Sequence, residues 1–430
     1  MSKLRTLRVF AATRWFKQFK TRAELEAYQL RMLNKQFAYF RNTSPHFHNL
    51  PTIHSLADLA QIPTMDKKLM MAEFNSMNTV GIDRDTALEM AIGDEKKRDF
   101  SSSFKDIAIG LSSGTSGHRG MFIVSTKEQE EWAGKILARY LPKKALLGQK
   151  IALFLRADNS LYQTVNSPVI SFEYFDIYKD MDANIERLKA YQPTLLVAPP
   201  SVLGIIAEKV TKGELTPNYT KVIAVAEVLE ASDEKYFKKV FKQKIIHQIY
   251  QCTEGFLAHT CEKGTLHLNE DVAVFEKEYL DKRRFVPVVT DFHRTSQPIV
   301  RYRLNDVLIE KASPCRCGSV FTALSRIEGR EGDILYFKNS KKDDVRVFSD
   351  MMSRCILYGS GFREYRVVQT EYNHLDIYVD VLNKKVKQSI SREIDRLAST
   401  LHFLPPTITF KPYEPDYSKK MRRVERQFEI

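Results

Sequence analysis

The sequence has no apolar run near the roughly 18 residues that a bilayer-spanning helix requires, which argues against an integral membrane protein. No uninterrupted apolar stretch opens the chain, because Arg5, Arg8 and Arg14 break it up, so no secretory signal is expected. Only five cysteines occur in 430 residues, too few for a disulfide framework, and a reducing cytoplasm is the expected setting. Internal repeats, low-complexity tracts and nucleic-acid-binding motifs are also missing.

What is present is a chain long enough for two or three domains, with 43% hydrophobic residues to fill their cores. Its net charge of +13 comes from 66 basic and 53 acidic residues, mostly interspersed. Such a charge could serve nucleic acid, an anionic membrane surface or a polyanionic substrate such as a nucleotide, and the interspersed pattern argues against nucleic acid. Two segments concentrate the charge. "KLRTLRVFAATRWFKQFK" (3–20) reads as a basic helix with Leu4, Leu7, Ala11, Trp15 and Phe19 near one face. Its first reading is a helix capping the large domain; a peripheral membrane contact is the second. The other segment is "YSKKMRRVERQ", near the end of the sequence.

A helix is expected over 22–42, followed by a loop-rich passage and a further helical stretch. From Asp106 short apolar runs alternate with helices near 127–140, 182–191, 201–211 and 232–242. That alternation predicts βαβ units and a mostly parallel sheet covered on both faces. After Glu254 the texture changes to hairpin-like strands, giving a β-rich segment over about 255–325. The expected fold is thus α/β: a large domain over 1–328, a hinge at 329–333 and a small α+β domain over 334–430.

"LSSGTSGHRG" (111–120) concentrates glycine and hydroxyl residues between two predicted strands. Such a loop can wrap phosphate oxygens with backbone N–H and side-chain O–H donors, although a generic turn has the same composition. It is not a P-loop, since no lysine follows the last glycine at the required spacing. "SSGTSG" (112–117) resembles the phosphate loop of the adenylate-forming superfamily of acyl-CoA synthetases, luciferases and peptide-synthetase adenylation domains. "YQCTEG" (250–255), "RYRLND" (301–306), "IEGREGDIL" (327–335) and "SKKMRRV" (418–424) resemble further superfamily elements in the same order. "SLADLAQIPTMDK" (55–67), "QPTLLVAPPSVLGIIAE" (192–208), "HTCEKGTLHLNED" (259–271) and "SPCRCGSVF" (313–321) are similar to the branch of phenylacetate-CoA ligases and deazaflavin-adenylylating ligases.

The resemblance implies ATP-dependent adenylation of an aryl or short acyl carboxylate, with pyrophosphate released, then transfer to a thiol of CoA or an acyl carrier protein. It implies that Ser112, Ser113, Gly114, Thr115, Ser116 and Gly117 hold the β- and γ-phosphates. Glu254 would ligate Mg²⁺, a hard cation that prefers carboxylate oxygens, and Thr253 would reach the α-phosphate. Tyr250, Ala226 and Glu227 would flank the adenine, Asp306 would take the ribose hydroxyls, and Arg330 would approach the nucleotide. Lys420 becomes the catalytic lysine, with Lys419 as a neighbouring competitor.

Three positions depart from the superfamily pattern. His118 stands where relatives carry lysine, Gly332 replaces one of a usual aspartate pair, and the charged segment 338–346 replaces a glycine-containing turn. The last leaves a second activity open: an adenylyltransferase that leaves AMP on its acceptor. A third reading is a nucleotide-binding homologue without turnover. Phe154, Arg156, Tyr162 and Phe172 are expected to line the acyl pocket.

Cys261, His267, Cys315 and Cys317 could form a closed structural Zn²⁺ site of soft and borderline ligands, with isolated buried thiols as the alternative. Cys252 and Cys355 read as packing residues. Monomer and homodimer both stay open.

Overall fold

The computed structural model describes residues 3–98, 103–111, 120–143, 145–156, 162, 164–414, 421–428 and 430. The chain divides into two compact units, one of residues 1–304 and 309–326, the other of 305–308 and 327–430.

The large unit begins with α1 (Lys3–Ala11) and α2 (Arg22–Thr43). Thr21 caps α2 through the Glu24 N–H, and α2 buries Leu25, Leu33, Phe37 and Phe40 completely. Helix α3 (Arg84–Lys97) leads to an antiparallel pair, β1 (Ile107–Leu111) and β2 (Met121–Ser125), in which Leu111 faces Met121. Residues 112–117 join these two strands in sequence; with His118 they lie outside the described residues. Ser125 and Glu128 form a capping box that starts α4 (Thr126–Tyr140).

A run of strands and helices follows: β3 (Gln149–Leu155), β4 (Ile170–Asp176), α5 (Met181–Tyr191), β5 (Leu195–Ala198), α6 (Pro200–Thr211), β6 (Lys221–Val225), α7 (Ala231–Val240) and β7 (Ile246–Cys252). The strands pair in parallel in the order β4-β3-β5-β6-β7. Alternation along each strand sends side chains to two different cores. Ile151, Leu153, Val197, Ile223 and Ile249 meet Ala133, Leu137 and Tyr140 of α4. Ala152, Phe154, Leu196, Val222 and Ala224 meet Ile185, Leu188, Val202, Ile206 and Phe237 of the helices behind. Covering both faces is what a parallel sheet requires.

At β8 (Gly255–Thr260) the sheet turns antiparallel and continues through β9 (Leu266–Leu268). Strands β10 (Ala273–Tyr279), β11 (Arg284–Asp291) and β12 (Ile299–Arg303) form the hairpin-rich portion. Two strands, β13 (Asp306–Glu310) and β14 (Ala323–Arg330), carry the chain between the units.

Met65 joins β12 as an isolated parallel bridge opposite Tyr302. The adjacent Arg301 adopts φ +45° and holds Glu276 at 2.8 Å, and it also donates to the carbonyls of Ala60 and Ile62. One guanidinium thereby fixes the passage 55–67 to the sheet.

His247 on β7 is buried beside the ring of Tyr140, and burial together with Lys221 lowers its pKa to about 4. The unfolded chain takes up this proton below about pH 6.5, whereas the folded chain refuses it. Stability is therefore fully present above pH 6.5 and falls as the pH drops toward 4, by on the order of 3 kcal/mol from this group. Denaturant titrations at pH 7 and pH 5 should show about 2 kcal/mol of that loss, and His247→Gln should flatten it.

In the second unit, Glu331–Asp333 form a single 3₁₀ turn before a hairpin of β15 (Leu335–Lys338) and β16 (Asp344–Val347). Helix α8 (Ser349–Tyr358) precedes the antiparallel pair β17 (Tyr365–Glu371) and β18 (His374–Val379). Helix α9 (Lys384–Leu401) places Val386, Ile390, Ile394 and Ala398 at four-residue spacing, all buried. Strand β19 (Thr407–Pro412) adds in parallel to β18, and β20 (Val424–Arg426) adds in parallel to β17.

Candidate active site

The tight β7–β8 turn presents Thr253 and Glu254. Cys252 pairs with Gly255, whose φ is +152° and whose missing Cβ would sit 3.2 Å from an Asp291 carboxylate oxygen. Another residue here would be strained and crowded, so glycine sets the approach of this turn to β11. Glu254 is buried and hydrogen-bonded to the Tyr302 hydroxyl. Burial and the Glu254 charge push the Tyr302 phenol far above its ordinary range, so it stays protonated and able to donate. The structure thus brings "YQCTEG" and "RYRLND" together through Glu254 and Tyr302, a residue not singled out as a site residue in the sequence.

A second residue outside the motifs ties this turn to β2. Arg294 donates to the Thr253 carbonyl at 3.0 Å, the Ile123 carbonyl at 3.0 Å and Gln297 at 3.1 Å. Glu128 lies 3.9 Å from Arg294 and accepts the N–H groups of Ser125, Thr295 and Ser296. Burial opposes ionisation of Glu128, but Arg294 and these donors outweigh it and hold its carboxyl below the usual range. Arg294 therefore couples the strand that follows the glycine-rich loop to the backbone of Thr253.

Ala226, at the end of β6, has φ +68°, and the Glu227 N–H donates back to the Val225 carbonyl at 2.9 Å. A three-residue turn with positive φ is strained for alanine. It aims the Glu227 carboxylate at Arg156, 3.1 Å away, and at the Ser201 N–H in the first turn of α6. Arg156, expected in the acyl pocket, is thus committed to Glu227. Tyr250 lies buried within β7. In the second unit, Asp306 and Arg330 stand 3.8 Å apart, and Asp333 is held by Arg422 at 2.9 Å. Lys419 and Lys420 lie outside the described residues.

Between α4 and the sheet lies an apolar cavity of about 120 Å³. Tyr162 and Phe172, two of the residues expected in an acyl pocket, line this cavity together with Trp132, Leu153, Val197 and Ile223. Phe154 does not: one residue out of phase with Leu153, it stacks on Phe175 on the opposite face of β3. Ala226 and Gln251 also line the cavity, and the Trp132 indole N–H donates to Gln251 at 3.0 Å. Ala226 belongs to the positive-φ turn after β6, and Gln251 lies in β7 two residues before Thr253.

The thiols of Cys261, Cys315 and Cys317 and the His267 ring nitrogen lie within 4.8 Å of one another. Tetrahedral Zn²⁺ with bonds of about 2.3 Å to sulfur and about 2.0 Å to nitrogen sets S···S near 3.8 Å and S···N near 3.5 Å. Here Cys261 and Cys315 are 3.8 Å apart, and Cys317 is 3.4 Å from His267 Nε2. His267 Nδ1 lies 3.0 Å from the Phe321 carbonyl, which directs Nε2 toward the thiols. The donor set fits zinc.

No protein-family profile matches the chain. Across 95% of its length it superposes on 91% of a 2-hydroxyisobutyryl-CoA ligase in the postadenylation state, with a TM-score of 0.72 and 16% identity. The chain has the adenylate-forming ligase fold. The amide bond synthetase McbA of Marinactinospora thermotolerans superposes on 74% of it, covering 68% of McbA, at a TM-score of 0.55 and 13% identity. The anthranilate CoA ligase AuaEII covers 75% of the chain with 67% of its own length, at 0.54 and 11%. Among curated proteins, Protein CapK of Staphylococcus aureus is 24% identical over 251 residues, or 57% of this chain. That match spans 54% of CapK, about half its length.

Proposed function

We propose that this adenylate-forming fold carries an ATP-dependent ligase for a carboxylate with an apolar aryl or short acyl group. The carboxylate oxygen attacks the α-phosphorus of ATP, the bond to the β-phosphate breaks, and pyrophosphate leaves. A thiol of CoA or an acyl carrier protein then attacks the acyl carbon, expelling AMP and losing its proton. The observation that carries this reading is the apolar cavity lined by Gln251, which stands three residues before Glu254 in the chain. The cavity would take the acyl tail, and the turn would hold Mg²⁺ through Glu254, with Thr253 near the α-phosphate. Mg²⁺ would neutralise charge developing on the phosphates. The loop 112–117 would hold the β- and γ-phosphates, Ala226, Glu227 and Tyr250 would border the adenine, and Asp306 and Arg330 would serve the ribose side. The 2-hydroxyisobutyryl-CoA ligase structures with an acyl-AMP and CoA support that chemistry by analogy of fold.

A pyrophosphate-release assay across a carboxylate library tests the proposal; no release with any carboxylate overturns it. AMP release on adding CoA separates acyl transfer from the second reading, in which AMP stays on the acceptor. That reading is favoured by the charged β15–β16 hairpin, with Lys341, Lys342, Asp343 and Asp344 exposed at its turn.

The reading extends to one structural zinc per chain on Cys261, His267, Cys315 and Cys317. Elemental analysis of protein purified without chelator should find it, and metal-free protein would overturn it. Cys315→Ser should lower the metal content and the thermal midpoint together, because ligand loss uncouples metal binding from folding.

A further inference from the structure

Helix α1 is a fixed element of the large unit. Gly134 of α4 lets it approach closely, since a Cβ there would meet the Thr6 carbonyl at 2.7 Å and Val9 at 2.8 Å. Arg5 pairs with the buried Glu130 at 2.7 Å, and Arg14 donates to the Ala138 carbonyl at 2.5 Å. The helix therefore packs through Thr6, Val9 and Phe10. At 100° per residue, Leu4, Leu7 and Ala11 form one stripe on the far side, and Trp15 and Phe16 follow in a π-helical turn, Ala12–Phe16, with the Trp15 ring edge-on to Phe10.

That stripe faces outward. Leu4 is 76% exposed, Leu7 63%, Trp15 52% and the adjoining Phe16 78%. Single exposed apolar side chains need no explanation, but four large ones on one short docked segment do. Lys3, Arg8 and Lys20 are exposed around them, and no acidic residue occurs before Glu24. The sequence alone favoured a capping helix with this stripe near one face; the structure packs α1 through its other side.

We propose that this face lies on an anionic phospholipid surface, with Leu4, Leu7, Trp15 and Phe16 entering the acyl boundary and Lys3, Arg8 and Lys20 meeting the headgroup phosphates. Charge complementarity selects that occupant: the cations match anionic headgroups, and the aromatic and leucine side chains match the acyl boundary below them. Among the described residues no helix is long and apolar enough to cross a membrane, so the contact is interfacial.

The test uses the full chain with vesicles of phosphatidylglycerol and phosphatidylcholine. At low salt the protein should sediment with anionic vesicles at least tenfold more strongly than with pure phosphatidylcholine, and high salt should release it. Its tryptophan emission should shift to the blue on binding, and Trp15→Phe should lose that shift. The double variant Leu7→Glu, Phe16→Glu should keep its thermal midpoint, both residues being exposed, and lose at least tenfold in vesicle binding. Failure of the native chain to bind anionic vesicles, or equal binding by the double variant, overturns the proposal. So does a dimer that the same substitutions dissolve in protein that ignores vesicles, since a second copy would then cover the face.

Discussion

Glu254→Gln should reduce pyrophosphate release by two orders of magnitude or more while leaving the fold intact. The substitution conserves volume and leaves an amide oxygen to accept from the Tyr302 hydroxyl, so the β7–β8 turn should persist. What it removes is the negative charge, which Mg²⁺ needs from a protein ligand when it otherwise binds water and phosphate. Losing one preorganised electrostatic contact to a phosphoryl transition state costs about 10²–10³ in rate. Single-turnover pyrophosphate release with a saturating carboxylate reads the effect, and an unchanged thermal midpoint shows that folding is spared. Near-native turnover would remove Glu254 from the proposed chemistry.

Lys420→Ala should slow adenylate formation by a similar or larger factor and spare the second half-reaction. Two anions meet when a carboxylate attacks ATP, and negative charge grows on the α-phosphate oxygens in the transition state. A flexible ammonium at that point stabilises the transition state more than the ground state. Attack of a thiol on a pre-made acyl-adenylate releases AMP with no second carboxylate to neutralise, so that step depends less on the same cation. The measurement is the rate of each half-reaction, started from ATP with carboxylate or from synthetic acyl-adenylate with thiol. Equal slowing of both would remove Lys420 from a first-step role, and Lys419→Ala serves as the neighbouring control.

Much of the fold is legible in the sequence because its signals are local. Runs such as "KIALFL" and "TLLVAPP", separated by helical stretches, require a sheet covered on both faces, and the two cores around β3 to β7 supply the cover. Contacts between distant positions are less legible. Arg156 is 71 residues from Glu227, and nothing local in either segment marks them as a pair. Arg294 sits in "FHRTSQP", outside every motif, yet it bonds the carbonyls of Ile123 and Thr253. Phe154 packs with Phe175 rather than along the cavity that Leu153 lines, because one residue of strand phase moves a side chain to the opposite face. The helical period of α1 revealed an apolar stripe, but packing through a glycine on another helix decided which way it points.

The polar clamps on α2 and on the passage after it span very long stretches of chain. Arg22 reaches Glu270 across 248 positions, Gln36 reaches Arg294 across 258, and Arg301 reaches back to Ile62 across 239. During synthesis these partners emerge only after most of the large unit has been made. At about 5–20 residues per second, α2 waits on the order of ten seconds or more for them. Throughout that interval α2, which buries Leu25, Leu33, Phe37 and Phe40 in the finished fold, lacks these clamps. The large unit therefore completes its clamps late, and yield on expression should depend on translation rate and temperature more than final stability suggests.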